Sequence, residues 1–195
     1  MIAFLKENSY YMVKMFINQI GMTMFGTMLA LATTSNPTML VLSSVFAVLF
    51  YLFLTYSMSW ELGAKDKQKI DGGRMKPFPA KGLLISVGAN VPNLLLALLM
   101  GIGAIVNMAT EMEWAGNMSV ICNAIARLLN GMYLGMITTL EKSVYGGASI
   151  VDEWWWFIII TIPAMLTSWG SYVMGTKELR ISAMLGIKQK PDKMD

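Results

Sequence analysis

Residues 59–66 read SWELGAKD, and residues 171–178 read SYVMGTKE. Each stretch closes a long apolar run with Ser, an aromatic, Gly, Lys and an acid in the same order. Aromatic rings favour the headgroup layer of a bilayer, Gly ends helices, and Lys reaches back to the aqueous interface along its aliphatic stem. Both stretches therefore read as places where a helix leaves lipid. If so, the second and the last apolar runs emerge on one face, and the number of full crossings is even. A duplication within the chain is a second reading, which similarity this short does not decide.

The composition supports lipid as the solvent. The 195 residues are 55% hydrophobic and only 14% charged, with a mean hydropathy of +0.54. Soluble domains carry roughly 25% charged residues. The 19 Met residues suit flexible apolar packing rather than metal binding. Four apolar segments, at about 15–33, 38–60, 82–106 and 154–175, each approach the ~20 residues that span the hydrocarbon core. The fold class expected is all-α, a polytopic integral membrane bundle.

Charge orients the bundle. The stretch 61–81 holds Lys65, Lys67, Lys69, Arg74, Lys76 and Lys81. The tail 176–195 holds Lys177, Arg180, Lys188, Lys190 and Lys193, and the N-terminal region holds Lys6 and Lys14. These are 13 of the 15 basic residues, and the positive-inside rule puts all three regions in the cytoplasm of a cell whose plasma membrane holds the protein. The stretch 107–153 is acidic on balance and reads as an outer-side insertion. Its apolar helix, 118–140, is long enough to cross but contains Asn123, Arg127 and Asn130. An even count of crossings makes it re-entrant or interfacial, with Gly131, Tyr133 and Gly135 allowing a break. The alternative is five full spans with an exported tail.

Several local signals refine this picture. Lys14 followed by an apolar run ending in ALA resembles a cleavable signal, but Asn18, Gln19 and two Gly interrupt it, so a retained first helix is expected. Pro37 suits the start of the second span. Asp152 with Trp154, Trp155 and Trp156 suits the outer start of the last span, and Pro163 should kink it.

Polar residues inside apolar runs are the candidates for chemistry. Ser119, Asn123, Arg127, Asn130 and Thr138 recur at helical spacing and form one stripe, with Glu141 on the same face. An Arg at membrane depth costs about 2.5–3.5 kcal/mol on insertion scales, so Arg127 should meet water, an anionic solute or a carboxylate such as Glu111, Glu113 or Glu141. In GANVPNLLL, Asn90 and Asn93 share a face, with Pro92 breaking the hydrogen-bond ladder between them. Broken helices with exposed amides build solute sites in transporters, while the plainer reading is an interhelical clasp. Asn18 and Gln19 fit either arrangement. GMYLG, from Gly131 to Gly135, permits close helix packing or association with a second copy.

The basic stretch 61–81 offers a second surface. Lys65, Lys67, Lys69, Arg74 and Lys177 are positioned to meet anionic lipid headgroups or a protein partner, although topogenic charge alone explains much of this bias. With no His and one Cys, Cys122, no metal or cofactor is expected, and no nucleophile motif argues for an enzyme. No nucleic-acid partner is expected. The leading functional expectation is a transport or small-solute-binding membrane component using Arg127, Asn123, Asn130, Asn90 and Asn93. The alternative is a non-catalytic scaffold or accessory subunit docking a partner through its basic loop.

Overall fold

A computed structural model describes residues 2–144 and 153–179. The described chain is helical, with no strand among these residues. Its elements are α1 (Ile2–Thr33), α2 (Pro37–Asp71), α3 (Lys81–Thr110), α4 (Glu113–Leu129), a 3-10 turn (Gly131–Tyr133), α5 (Leu134–Val144), α6 (Trp154–Ile159) and α7 (Ile162–Thr176). Asp152 and the tail beyond Leu179 lie outside the described residues, as does the side chain of Glu141.

Among the described residues, four helical segments are long and apolar enough to cross a membrane, α1, α2, α3, and α6 with α7, and the bent pair α4–α5 would make a fifth if taken as one span. The periphery carries Met28, Leu31, Leu42, Leu49, Phe53 and Ile102 at more than half exposure, while Ser44, Ser86 and Ser168 are fully enclosed. Apolar side chains outside and small polar ones at the helix contacts are what lipid as solvent selects.

Two helices run further than their apolar segments. α1 begins at Ile2 rather than near residue 15. α2 continues to Asp71, so the stretch expected as a loop over 61–81 is non-helical only at 72–80. Ion pairs one turn apart, Lys65–Glu61 at 2.6 Å and Lys67–Asp71 at 2.7 Å, support this polar extension, and Gly72 ends it. Residues 61–71 project roughly 16 Å past the apolar run at 1.5 Å per residue. The start of α2 follows its sequence signal. Pro37 opens the helix, and the Asn36 side chain accepts from the N–H groups of Thr38 and Met39.

Pro92 does not break α3, which is continuous from Lys81 to Thr110. A proline removes one ladder bond, and flanking helices can hold the turn around it. Pro163 follows a real break instead, since α6 ends at Ile159 and α7 starts at Ile162. The Thr161 hydroxyl donates to the Ile158 carbonyl at 2.7 Å, and Tyr133 Oη donates to the Ile160 carbonyl at 3.1 Å, so carbonyls exposed by the break are satisfied.

The path of α4 and α5 is legible from their neighbours. Ser119 Oγ donates to the Met100 carbonyl at 3.0 Å, and further on Asn130 meets Asn93, so α4 runs back along α3 to its middle. The chain then bends by 74°. Asn130 lies beside Gln19, Gly131 against Thr27, and the Gly135 N–H donates to Ser44 Oγ at 2.9 Å. Those partners climb steadily toward the turn joining α1 to α2. α4 thus starts at the end where α3 finishes, and after the bend the start of α5 packs beside Ser44 of α2.

Candidate functional site

Two polar clusters lie inside the bundle. The first sits at mid-depth, between an apolar cluster that includes Met22, Ala97 and Tyr133 and another that includes Met15, Ala89 and Tyr172. Here Asn93 Nδ2 donates to Gln19 Oε1 at 2.9 Å, Gln19 Nε2 to Asn130 Oδ1 at 3.4 Å, and Asn130 Nδ2 to Asn93 Oδ1 at 3.4 Å. The three amides form a closed ring in which each donates to the next. Asn93 also donates to Asn90 Oδ1 at 3.1 Å, and Asn90 donates to the Ser86 carbonyl at 2.9 Å.

The ring closes over the broken end of α4. A helix leaves its last four carbonyls without partners inside itself, and this end is buried. The Thr23 hydroxyl donates to the Leu129 carbonyl at 2.8 Å, joined by Gln19 Nε2 at 3.2 Å. Asn130 Nδ2 reaches the Ala126 carbonyl at 2.9 Å. The polar face of α1 thus substitutes for the missing next turn of α4.

The structure brings together Asn90, Asn93 and Asn130 from the expected site. Arg127 and Asn123 lie further up α4, both partly buried, with Arg127 Nε donating to Asn123 Oδ1 at 2.9 Å.

The second cluster lies at the opposite end, where α2 projects. The Asp66 side chain is fully buried, and its Oδ2 accepts from Lys81 Nζ at 2.7 Å and from Tyr172 Oη at 3.0 Å. Lys81 is itself only 6% exposed on its side chain. Lys69, half exposed, approaches the other oxygen, Oδ1, at 3.4 Å. Leaving a carboxylate or an ammonium buried alone would cost several kcal/mol, so each fixes the other in place. This triad joins α2, the first residue of α3, and α7.

A cleft of about 390 Å³ opens beside the triad, lined by Glu7, Asn8 and Tyr11 from α1, Leu62, Lys65, Gln68 and Lys69 from α2, Arg74, and Lys81. Four cations face it. Lys65 is paired with Glu61 at 2.6 Å, and that hydrogen bond and charge hold the Glu61 carboxyl below the usual carboxylate range. Lys81 is held by Asp66. Arg74 is exposed, and its N–H donates to the Lys69 carbonyl at 2.9 Å, which places it over the end of α2. Among the described residues it makes no ion pair. Of the expected lipid- or partner-contact residues, Lys65, Lys69 and Arg74 line the cleft. Lys67 pairs with Asp71, and Lys177 ends α7 in solvent.

Asp66, Lys81 and Tyr172 were not expected to meet. A signal was present in the two quoted stretches, since Asp66 ends the first and Tyr172 belongs to the second. Comparison with protein-family models, with curated proteins and with solved structures finds no match.

Proposed function

We propose that this protein is a non-catalytic, small-solute-binding component of the plasma membrane whose ligand is an anion held in the cleft at its basic end. In this reading the chain crosses the membrane four times, both termini are cytoplasmic, and α4 with α5 forms a re-entrant hairpin. The charge distribution along the sequence supports the orientation. The return of α5 toward the turn at 34–36 supports the hairpin over a fifth crossing.

The observation that carries the proposal is the convergence of Lys65, Lys69, Arg74 and Lys81 on one cavity of about 390 Å³. A concave site with a few fixed charged groups is how small polar ligands are held. The amides of Gln19, Asn93 and Asn130 offer less, because they satisfy one another. Here they act as a clasp that holds the hairpin tip, and the Arg127–Asn123 pair braces the same helix.

The test uses the purified full-length protein in neutral detergent. Its melting temperature is followed against inorganic phosphate, sulfate, succinate and anionic lipid. At least one of these should stabilise the wild type, and the Lys69→Gln/Arg74→Gln variant should lose the response while folding normally. A wild type indifferent to the whole panel sinks the proposal. A response abolished by Arg127→Ala but kept by the cleft variant would move the solute site to α4.

A further inference from the structure

Resting on the reading of the cleft as an anion site, we infer that the ligand is a phosphorylated polyol, carried either as a lipid headgroup or as a free ester. The cleft is too large for a bare oxyanion. At about 30 Å³ for each water in the liquid, its 390 Å³ corresponds to on the order of a dozen waters.

Its lining is divided by chemistry. Arg74 is the cation with no acid paired to it among the described residues. A planar guanidinium fits phosphate with two parallel hydrogen bonds. Lys69 stands beside it on the last turn of α2, and Lys81 is fixed in direction by Asp66. Among the described residues, the wall supplied by α1 carries no cation and presents Glu7 and Tyr11, while the buried Asn8 beneath them donates to the Phe4 carbonyl, and Gln68 on α2 adds an amide to the lining. An amide and a phenol both donate and accept, which suits hydroxyl groups.

Glu7 is the discriminating group. An ionised carboxylate only accepts hydrogen bonds, so it favours hydroxyl donors and repels a second anionic group. Among the described lining residues Leu62 is the one aliphatic side chain, so the apolar surface offered to an acyl chain or an aromatic base is otherwise the lysine stems and the Tyr11 ring. One phosphoryl group against Arg74 and Lys69, with hydroxyls toward Glu7, fits this division. Lys65 and Lys69 lie between one and three helical turns past Trp60, which places the cleft at headgroup height and makes a lipid-borne ester geometrically accessible.

The probes are glycerol 3-phosphate, inorganic phosphate and succinate, titrated calorimetrically into the full chain in phosphatidylcholine nanodiscs. Glycerol 3-phosphate should bind roughly ten-fold or more tighter than inorganic phosphate, and Arg74→Gln and Lys69→Gln should each weaken it by a similar factor. Glu7→Gln should narrow the gap by strengthening inorganic phosphate. Nanodiscs containing phosphatidylglycerol then identify the source. Competition with glycerol 3-phosphate supports a headgroup, and unchanged binding supports the free ester. Equal binding of glycerol 3-phosphate and inorganic phosphate, or a preference for succinate, overturns the polyol phosphate and leaves the anion cleft standing. If neither these probes nor phosphatidylglycerol bind, both readings fall.

Discussion

Gly63 and Gly175 meet where α2 crosses α7, each packed against the backbone of the other helix at equivalent positions. A methyl group added at Gly63 would overlap the Tyr172 carbonyl oxygen and press on the Thr176 nitrogen. One added at Gly175 would overlap the Trp60 carbonyl oxygen and press on the Ala64 nitrogen. Trp60 and Tyr172, and likewise Ala64 and Thr176, hold the same places in SWELGAKD and SYVMGTKE. The repeated stretch is therefore a locally two-fold contact between α2 and the end of α7, secured by the Ser59–Ser168 hydroxyl pair at 2.9 Å.

Backbone cannot move aside as a flexible side chain can, so this contact should reject even a methyl. Gly63→Ala and Gly175→Ala should each destabilise by about 1–3 kcal/mol, the usual cost of overpacking. Gly170 is the control, because nothing lies within 4 Å of its added Cβ. Gly170→Ala should leave the melting temperature unchanged or raise it, given the higher helix propensity of Ala. Equal losses at all three positions would show that α2 and α7 do not meet through these glycines.

The buried pair should behave as a unit. Asp66→Asn or Lys81→Met alone strands a charge and should cost about 3–5 kcal/mol. Combining the two should recover most of that loss, because the charge left behind is removed as well. Lys69→Gln, at a half-exposed partner, should cost no more than about 1 kcal/mol. Denaturation of the four variants in one detergent gives the coupling directly. Additive losses in the double variant would show that Asp66 and Lys81 are stabilised separately.

Much of the architecture was legible because lipid imposes a strong and local requirement. Four runs of about 20 apolar residues stand out without reference to anything distant. Gly131 and Tyr133 marked the bend for a similarly local reason. Helix length was less legible, since residues 61–71 stay helical through Glu61–Lys65 and Lys67–Asp71 pairs that hydropathy does not register. Asn90, Asn93 and Asn130 were conspicuous as amides in apolar runs. Their closure into a ring with Gln19 depends on three helices, α1, α3 and α4, meeting at one depth, which no spacing within a single helix encodes. Asp66, Lys81 and Tyr172 were hidden for the same reason, and the basic stretch that contains the first two had an adequate explanation in topology alone.

The amide ring makes a prediction about local stability. Interhelical hydrogen bonds in membranes average about 0.6 kcal/mol and reach about 1.7. Asn93→Ala should fall toward the upper part of that range, because it removes partners of Gln19, Asn90 and Asn130 together. The effect should be local as well. Amide exchange at residues 129–133, where α4 ends in borrowed hydrogen bonds, should accelerate, while exchange in α2 stays as it was. Uniform acceleration across the bundle would mean that the ring does not serve the hairpin in particular.

The last prediction separates four crossings from five. In a background with Cys122 replaced by Ala, single cysteines are placed at Thr34, Met108, Glu153, Gln68 and Lys177, all exposed. On the proposed four-crossing reading, Met108 and Glu153 lie at the same end of the bundle as Thr34. Gln68 and Lys177 lie at the other end, where α2 runs on past the end of α7. In sealed cells, an impermeant thiol reagent should modify the first three positions from outside, and the last two only after permeabilisation. Five full crossings require Glu153 to label opposite to Met108. That single reversal would turn the re-entrant hairpin into a bent span and move the cleft's relation to α7 with it, since α7 would then run outward and could not end beside Gly63.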